Sequence, residues 1–156
     1  MLYTKKEELP VRWNPIVLAS MLCLVFLAGC ETTPVEKTGP SLYARLGEKP
    51  AITAVVDAFV GRVAADKRIN GYFAHADIPR LKTHLVNQVC AASGGPCTYS
   101  GRTMKTTHAG MGITNQAFDA LVEDLVATLD QFKVPEREKK ELLAVLGPMR
   151  SDIVER

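Results

Sequence analysis

Three histidines and four cysteines carry most of the ligand and redox chemistry available to this sequence. A neutral imidazole is a strong metal ligand, and an unperturbed one titrates near pH ~6.5. His84 falls with Leu81, Leu85 and Gln88 at the offsets that share one helical face. His108 closes the run Met104-Lys105-Thr106-Thr107-His108 and is followed by Gly110 and Gly112. Met104 stands one turn before it, and the glycines let the chain pass close to a neighbouring group. Two uses fit His108 at this level: a metal ligand, or a surface residue at a helix C-terminus beside the dipole. His75, between Ala74 and Ala76, is read as an exposed loop residue without a role. Cys23 and Cys30 lie near the start of the chain, whereas Cys90 and Cys97 flank a Gly-Gly-Pro stretch. The sequence holds no Cys-x-x-Cys-His, no phosphate-binding glycine loop and no evident Ser/His/Asp or Cys/His arrangement. Nor does a second pair of ligands accompany Cys90 and Cys97, as a zinc site would need.

The elements that must position these residues come from one modest domain. The chain has 156 residues, 47% of them apolar, which is enough for a core and excludes wholesale disorder. Its 19 basic and 17 acidic residues leave a formal net charge of +2. That balance, with 6% aromatics and no basic run, argues against a nucleic-acid partner.

Residues 1–29 read as a targeting segment rather than as fold. Lys5, Lys6 and Arg12 precede an apolar run over residues 16–29, shorter than the ~20 residues a membrane-spanning helix needs. The run ends in Leu27-Ala28-Gly29-Cys30, which resembles the lipobox of bacterial lipoproteins. The resemblance implies cleavage before Cys30, removal of Cys23 with the signal, and acylation of the Cys30 thiol. Each buried lipid methylene is worth ~0.8 kcal/mol, so several acyl chains hold a protein on a membrane. Glu31, a residue other than Asp, implies the outer membrane facing the periplasm in a Gram-negative host. Residues 30–40 then form a polar, Pro- and Gly-containing tether, and residues 41–156 the folded domain. Export brings oxidising conditions, under which Cys90 and Cys97 are candidates for a disulfide.

Within the domain the apolar period is helical. Ile52, Val55, Val56, Phe59, Val60 and Val63 define one face of a helix opened by Pro50. Asp77 and Pro79 open a second helix with Ile78, Leu81, Leu85 and Val89. Thr114 caps a third, carrying Phe118, Leu121, Val122, Leu125, Val126 and Leu129. Pro135 opens a last one that runs to Ile153, with Pro148 as a kink. No two-residue alternation occurs, so the predicted fold class is all-α.

Several pieces, in order, resemble the group I truncated (2-on-2) haemoglobins. They are Ser41-Leu42-Tyr43-Ala44-Arg45-Leu46-Gly47; Phe59, Arg62, Val63 and Asp66; Tyr72-Phe73; Gly94-Gly95-Pro96; Tyr99-Ser100-Gly101-Arg102; and Met104 through Thr114. The resemblance spans about residues 41–153. It implies a globin fold around a haem pocket, with His108 as the proximal ligand to iron and a non-covalent haem b. Phe73 matches the aromatic that wedges the haem, and Leu81, Leu85, Met104 and Phe118, with Val122 and Val126, are further pocket candidates. Tyr99, Arg80, Lys82 and Arg102 are candidates for the propionates. His84 is a candidate distal iron ligand, or else a residue at the pocket mouth bonded to a propionate or water.

Two departures bear on function. Val60, beside Phe59, stands where family members often have a tyrosine, and Leu85 where they often have a glutamine. Neither can donate a hydrogen bond. Losing such a donor costs ~1–3 kcal/mol, roughly tenfold to hundredfold faster oxygen loss. Gln88 or His84 are the available substitutes. The family's first glycine pair is also reduced to Gly47-Glu48, which predicts an altered turn. The functional expectation is binding of O2, NO or CO, with oxidative NO removal as a side activity. The alternative is a six-coordinate, bis-histidine haem in electron transfer with an unknown donor. A third reading, a helical scaffold that has lost haem, is opposed by the retention of His108 and Phe73.

Overall fold

A computed structural model describes residues 39–155. The targeting segment, Cys23, Cys30 and the tether up to residue 38 lie outside the described residues. Among the described residues there is no strand, and no helix is long and apolar enough to cross a membrane.

Side-chain caps mark where four of the helices begin. Ser41 accepts from the Ala44 amide ahead of α1, Leu42–Arg45. The next turn passes through left-handed backbone twice, at Gly47 (φ 86°) and at Glu48 (φ 61°), before α2, Glu48–Ala65. A Cβ on Gly47 would sit 2.8 Å from that of Ala51, so glycine is needed there. Glu48 carries the backbone strain that a second glycine would avoid, on the order of 1 kcal/mol. A short 3-10 turn, Asn70–Phe73, leads to α3, Ile78–Ala92, where the Asp77 carboxylate accepts from the Arg80 amide at 3.1 Å. Thr103 caps α4, Met104–His108, and Thr114 caps α5, Asn115–Gln131.

The last helix differs from the single kinked one that the sequence pattern predicts. It is broken into α6, Glu136–Leu146, a 3-10 turn over Gly147–Met149, and α7, Arg150–Ile153. Pro148 has no amide hydrogen and crowds the preceding turn, and Gly147 adds backbone freedom. The result is three short segments rather than one continuous helix.

Helix α2 packs against both α3 and α5. Ile52, Val56 and Val60 meet Val86 and the wholly buried Cys90 of α3. Val63 meets Ile69 and Ala120, and Leu42, Leu129 and Leu142 join α1, α5 and α6. Truncating a buried leucine such as Leu142 typically costs ~2–5 kcal/mol. Arg45 fastens the start of the domain. Its Nε donates to Glu138 at 2.9 Å, another nitrogen pairs with Glu141, and a third donates to the Pro40 carbonyl at 2.8 Å.

Cys90 and Cys97 form a disulfide with a Cα–Cα distance of 5.7 Å. It ties the end of α3 to the loop that follows. Gly95 lies inside that loop, where an added Cβ would come within 2.5 Å of the Tyr43 ring and 2.7 Å of the Cys90 sulfur. The loop is therefore packed against α1 as well as bonded to α3.

Candidate functional site

A large cavity of about 1080 Å³ opens between the helices. It stands just above the ~300–1,000 Å³ usual for small-molecule and cofactor sites. Phe59 and Val63 line it from α2, Leu81, His84, Leu85 and Gln88 from α3, and Phe118, Leu121 and Val122 from α5. Met104 and His108 line it from α4, Phe73 from the 3-10 turn, and Met149 from beyond the broken end of α6. Apart from His84, Gln88 and His108, these are apolar walls.

His108 is the most constrained of the polar groups. Its Nδ1 lies 2.7 Å from the Met104 carbonyl oxygen. A carbonyl has no proton to give, so Nδ1 carries the hydrogen and donates it. The other ring nitrogen, Nε2, keeps its lone pair on a half-buried side chain that lines the cavity. A helix of five residues is enough to do this, because donor and acceptor are one turn apart.

His84 is arranged differently. Its Nε2 accepts from the Nε–H of Arg80, one turn earlier on α3, at 3.4 Å. Its Nδ1 is buried without a hydrogen-bond partner, and its ring meets that of Tyr99 edge-on with centroids 6.0 Å apart. The Tyr99 hydroxyl donates to the Arg102 carbonyl at 2.9 Å. Gln88 points its amide nitrogen at two thioether sulfurs, 3.4 Å from Met104 and 3.3 Å from Met149.

Most residues singled out in the sequence meet at this one cavity: Phe73, Leu81, His84, Leu85, Tyr99, Met104, His108 and Phe118, together with Arg80 and Arg102. Three do not. Val60 does not line the cavity and packs against α3, whereas its neighbour Phe59 is among the α2 residues that do line it. Lys82 faces α2, where it pairs with Asp57 at 3.0 Å, and is no neighbour of the cavity. Val126, one turn beyond Val122, does not line the space, whereas its neighbour Leu125 does. In each case the adjacent residue in the chain, Phe59, Leu81 or Leu125, lines the cavity instead. Conversely, His75 does reach the cavity rim, and Met149 lines the interior. The signal for Met149 was its place in the apolar stripe of the last helix. Its neighbour Arg150 sits over the Phe118 ring at 4.5 Å, a cation–π contact that sequence pattern alone does not show.

An apolar slot this large, with one imidazole whose free nitrogen is fixed by its own backbone, has the features of a haem pocket. Comparison with known proteins agrees. Residues 41–155 match the family model described as bacterial-like globin. The chain is 36% identical over 113 residues to the group 1 truncated haemoglobin of Mycolicibacterium paratuberculosis, covering 72% of this chain and 83% of that one. It is 38% identical over 111 residues to the group 1 truncated haemoglobin of Synechocystis, covering 69% and 90%. The crystal structure of truncated haemoglobin from Tetrahymena pyriformis in its Fe(III) form superposes with a TM-score of 0.72 at 31% identity, covering 75% of this chain and all of that one. The chain belongs to the group 1 truncated (2-on-2) globin family. It is a haem-binding globin whose ligands are gases such as O2, and this membership favours gas binding over a bis-histidine redox role.

Proposed function

We propose that this globin holds a non-covalent b-type haem through His108 Nε2 and works as an exported, lipid-anchored binder of diatomic gases. The observation that carries it is the 2.7 Å hydrogen bond from His108 Nδ1 to the Met104 carbonyl. It fixes the tautomer that leaves Nε2 basic, and it raises the donor strength of the ring, as a partner on the second nitrogen does for metal-bound histidines. When bound, haem supplies an iron with a further coordination position open to a gas. Phe73, Leu81, Leu85 and Phe118 supply apolar walls that would exclude water from the group. Arg80, Tyr99 and Arg102 stand where anionic edges of the group would meet polar side chains. The two cysteines of the domain are bonded to each other, so neither is free to attach a porphyrin.

Phe59, Leu81 and Leu85 offer no hydrogen-bond donor to a bound ligand. A wall of this kind suits NO and CO, which depend less on a donor than O2 does, and it disfavours efficient NO dioxygenation. The reading Leu27-Ala28-Gly29-Cys30 supports a lipid anchor on Cys30, with residues 1–29 as signal and 30–40 as tether. The Cys90–Cys97 disulfide supports an oxidising compartment outside the cytoplasm, the periplasmic face of the outer membrane in a Gram-negative host.

The full chain produced with haem supplied is expected to show a Soret band, and acid–acetone is expected to extract all of its haem as type b. A colourless folded product, or haem that stays with the protein, overturns the cofactor reading. Labelling with a radioactive fatty acid is expected to mark the parent and not Cys30→Ser; equal labelling removes the anchor.

A further inference from the structure

We infer that Arg80 is a positioning residue that holds His84 off the iron and so keeps the gas position open. The inference rests on the haem reading proposed above. Four observations on α3 and the following loop carry it. Arg80 and His84 are one turn apart on the same helix face, and both line the cavity. The Nε–H of Arg80 donates to His84 Nε2 at 3.4 Å. This bond needs the Nε2 lone pair, the same pair that would bind a metal. The proton of a neutral His84 must then reside on Nδ1, and Nδ1 is buried without a partner. Neither nitrogen is thus presented as a free donor pair. Tyr99 blocks sideways rotation: its ring lies edge-on to His84 at 6.0 Å, and its hydroxyl is fixed by the Arg102 carbonyl at 2.9 Å. Gly101 passes directly beneath the Tyr99 ring, where an added Cβ would come within 2.4 Å of the ring carbon bearing the hydroxyl.

His108 and His84 thereby differ in a way that composition does not reveal. His108 has its Nδ1 proton drawn to a carbonyl and its Nε2 free. In His84 it is Nε2 that is engaged, by a permanently charged guanidinium. A pair of histidines facing one cavity is thus divided into one ligand and one restrained bystander.

The test uses the haem-loaded full chain and four proteins: parent, Arg80→Met, Arg80→Lys and the double variant Arg80→Met/His84→Ala. Arg80 is exposed, so these substitutions leave the core intact. The parent is expected to be high-spin. Arg80→Met is expected to move the low-spin to high-spin ratio about tenfold toward low-spin, the worth of one hydrogen bond. The double variant is expected to return to high-spin, and Arg80→Lys, which keeps a donor, to resemble the parent. Carbon monoxide rebinding after photolysis should gain a slow phase in Arg80→Met alone. A parent that is low-spin, with the double variant high-spin, overturns the inference, and so does an Arg80→Met spectrum identical to the parent's. A parent without any Soret band refutes the haem reading instead. The inference is then decided by 15N NMR of His84 in the haem-free chain. A shift away from the Nδ1–H tautomer in Arg80→Met upholds it, and an unchanged tautomer ratio overturns it.

Discussion

The two walls of the cavity are built to opposite plans. On one side α3 runs for 15 residues, is capped by Asp77, and is bonded at its far end to the next loop through Cys90 and Cys97. Its polar groups are engaged by neighbours: Arg80 with His84 on the same helix, and Gln88 with the sulfurs of Met104 and Met149 across the cavity. On the other side α4 has five residues, a threonine cap, and glycines with left-handed backbone at Gly110 and Gly112 just beyond it. Yet this short segment carries the imidazole whose Nε2 is free. The contrast separates two requirements. A ligand needs only one turn of helix to fix its tautomer, because the acceptor is its own i−4 carbonyl. A distal wall needs length and rigidity, because its task is to present surface without presenting donors. Catalytic or binding chemistry and structural regularity therefore sit on different elements.

The largest expected effect breaks the short wall. His108→Gly should abolish the Soret band at stoichiometric haem, and added imidazole should restore it, because the cavity around the missing ring persists. Full haem retention without imidazole would place the ligand elsewhere. A smaller effect tests the long wall. Replacing both Cys90 and Cys97 by Ser should lower unfolding free energy by about 2–3 kcal/mol under the chain-entropy description of a loop this short. Urea titration of parent and variant would measure it, with haem stoichiometry expected to hold. If the variant instead loses haem while keeping most of its stability, the disulfide shapes the pocket rather than the chain, and the two walls are not divided into a rigid one and a ligand-bearing one.

How much of this was legible beforehand follows the same division. The Leu81-His84-Leu85-Gln88 face, and the place of Met104 one turn before His108, were readable because helical spacing is a local property. The helical fold class was readable for the same reason. The ligand role of His108 and the wedge role of Phe73 came from the family resemblance, since spacing alone leaves each with an ordinary structural use. What spacing does not contain is the rotation of a helix about its own axis once packed. Val60, Lys82 and Val126 each lie next in the chain to a lining residue, and only the packing of α2 on α3 and α5 decides which side of a broad apolar stripe is core and which is cavity. The disturbance at Gly147-Pro148 was legible but not its form, since proline permits a kink or a new start, and here a 3-10 turn separates α6 from an α7 that packs on α4. The Arg80–His84 bond was not legible at all. Two basic side chains one turn apart ordinarily repel, and they share a proton only because a neutral imidazole can accept.

The smallest expected effect asks whether the plan of mutually satisfied polar groups extends behind the cavity, to the packing of α2 on α5. There two carboxylates behave oppositely. Asp66 is held by Arg68, whose side chain and amide both donate to it, and its carboxyl is drawn below the ordinary 3.8. Asp124 is 8% exposed, with an oxygen that finds no partner; burial pushes its carboxyl above that same 3.8, repulsion from Asp66 adds to the push, and Arg62 and Arg68 only partly offset it. The signs follow from linkage. For Asp66 the folded state holds its proton less tightly, so its contribution is present above 3.8 and is lost as pH falls through the lowered folded value. For Asp124 the folded state holds its proton more tightly, so stability falls as pH rises from 3.8 through the raised folded value, and the loss persists at neutrality. Asp124→Asn should therefore make the protein more stable at pH 7 by about 1 kcal/mol, the usual worth of relieving one unpaired buried polar group. The gain should shrink below that window. Urea unfolding of parent and variant at neutral and acidic pH measures both. A variant less stable than the parent at pH 7 would mean that the Asp124 carboxylate is held by Arg62 as an ion pair, and that the satisfied wall continues through the α2–α5 contact instead of stopping at α3.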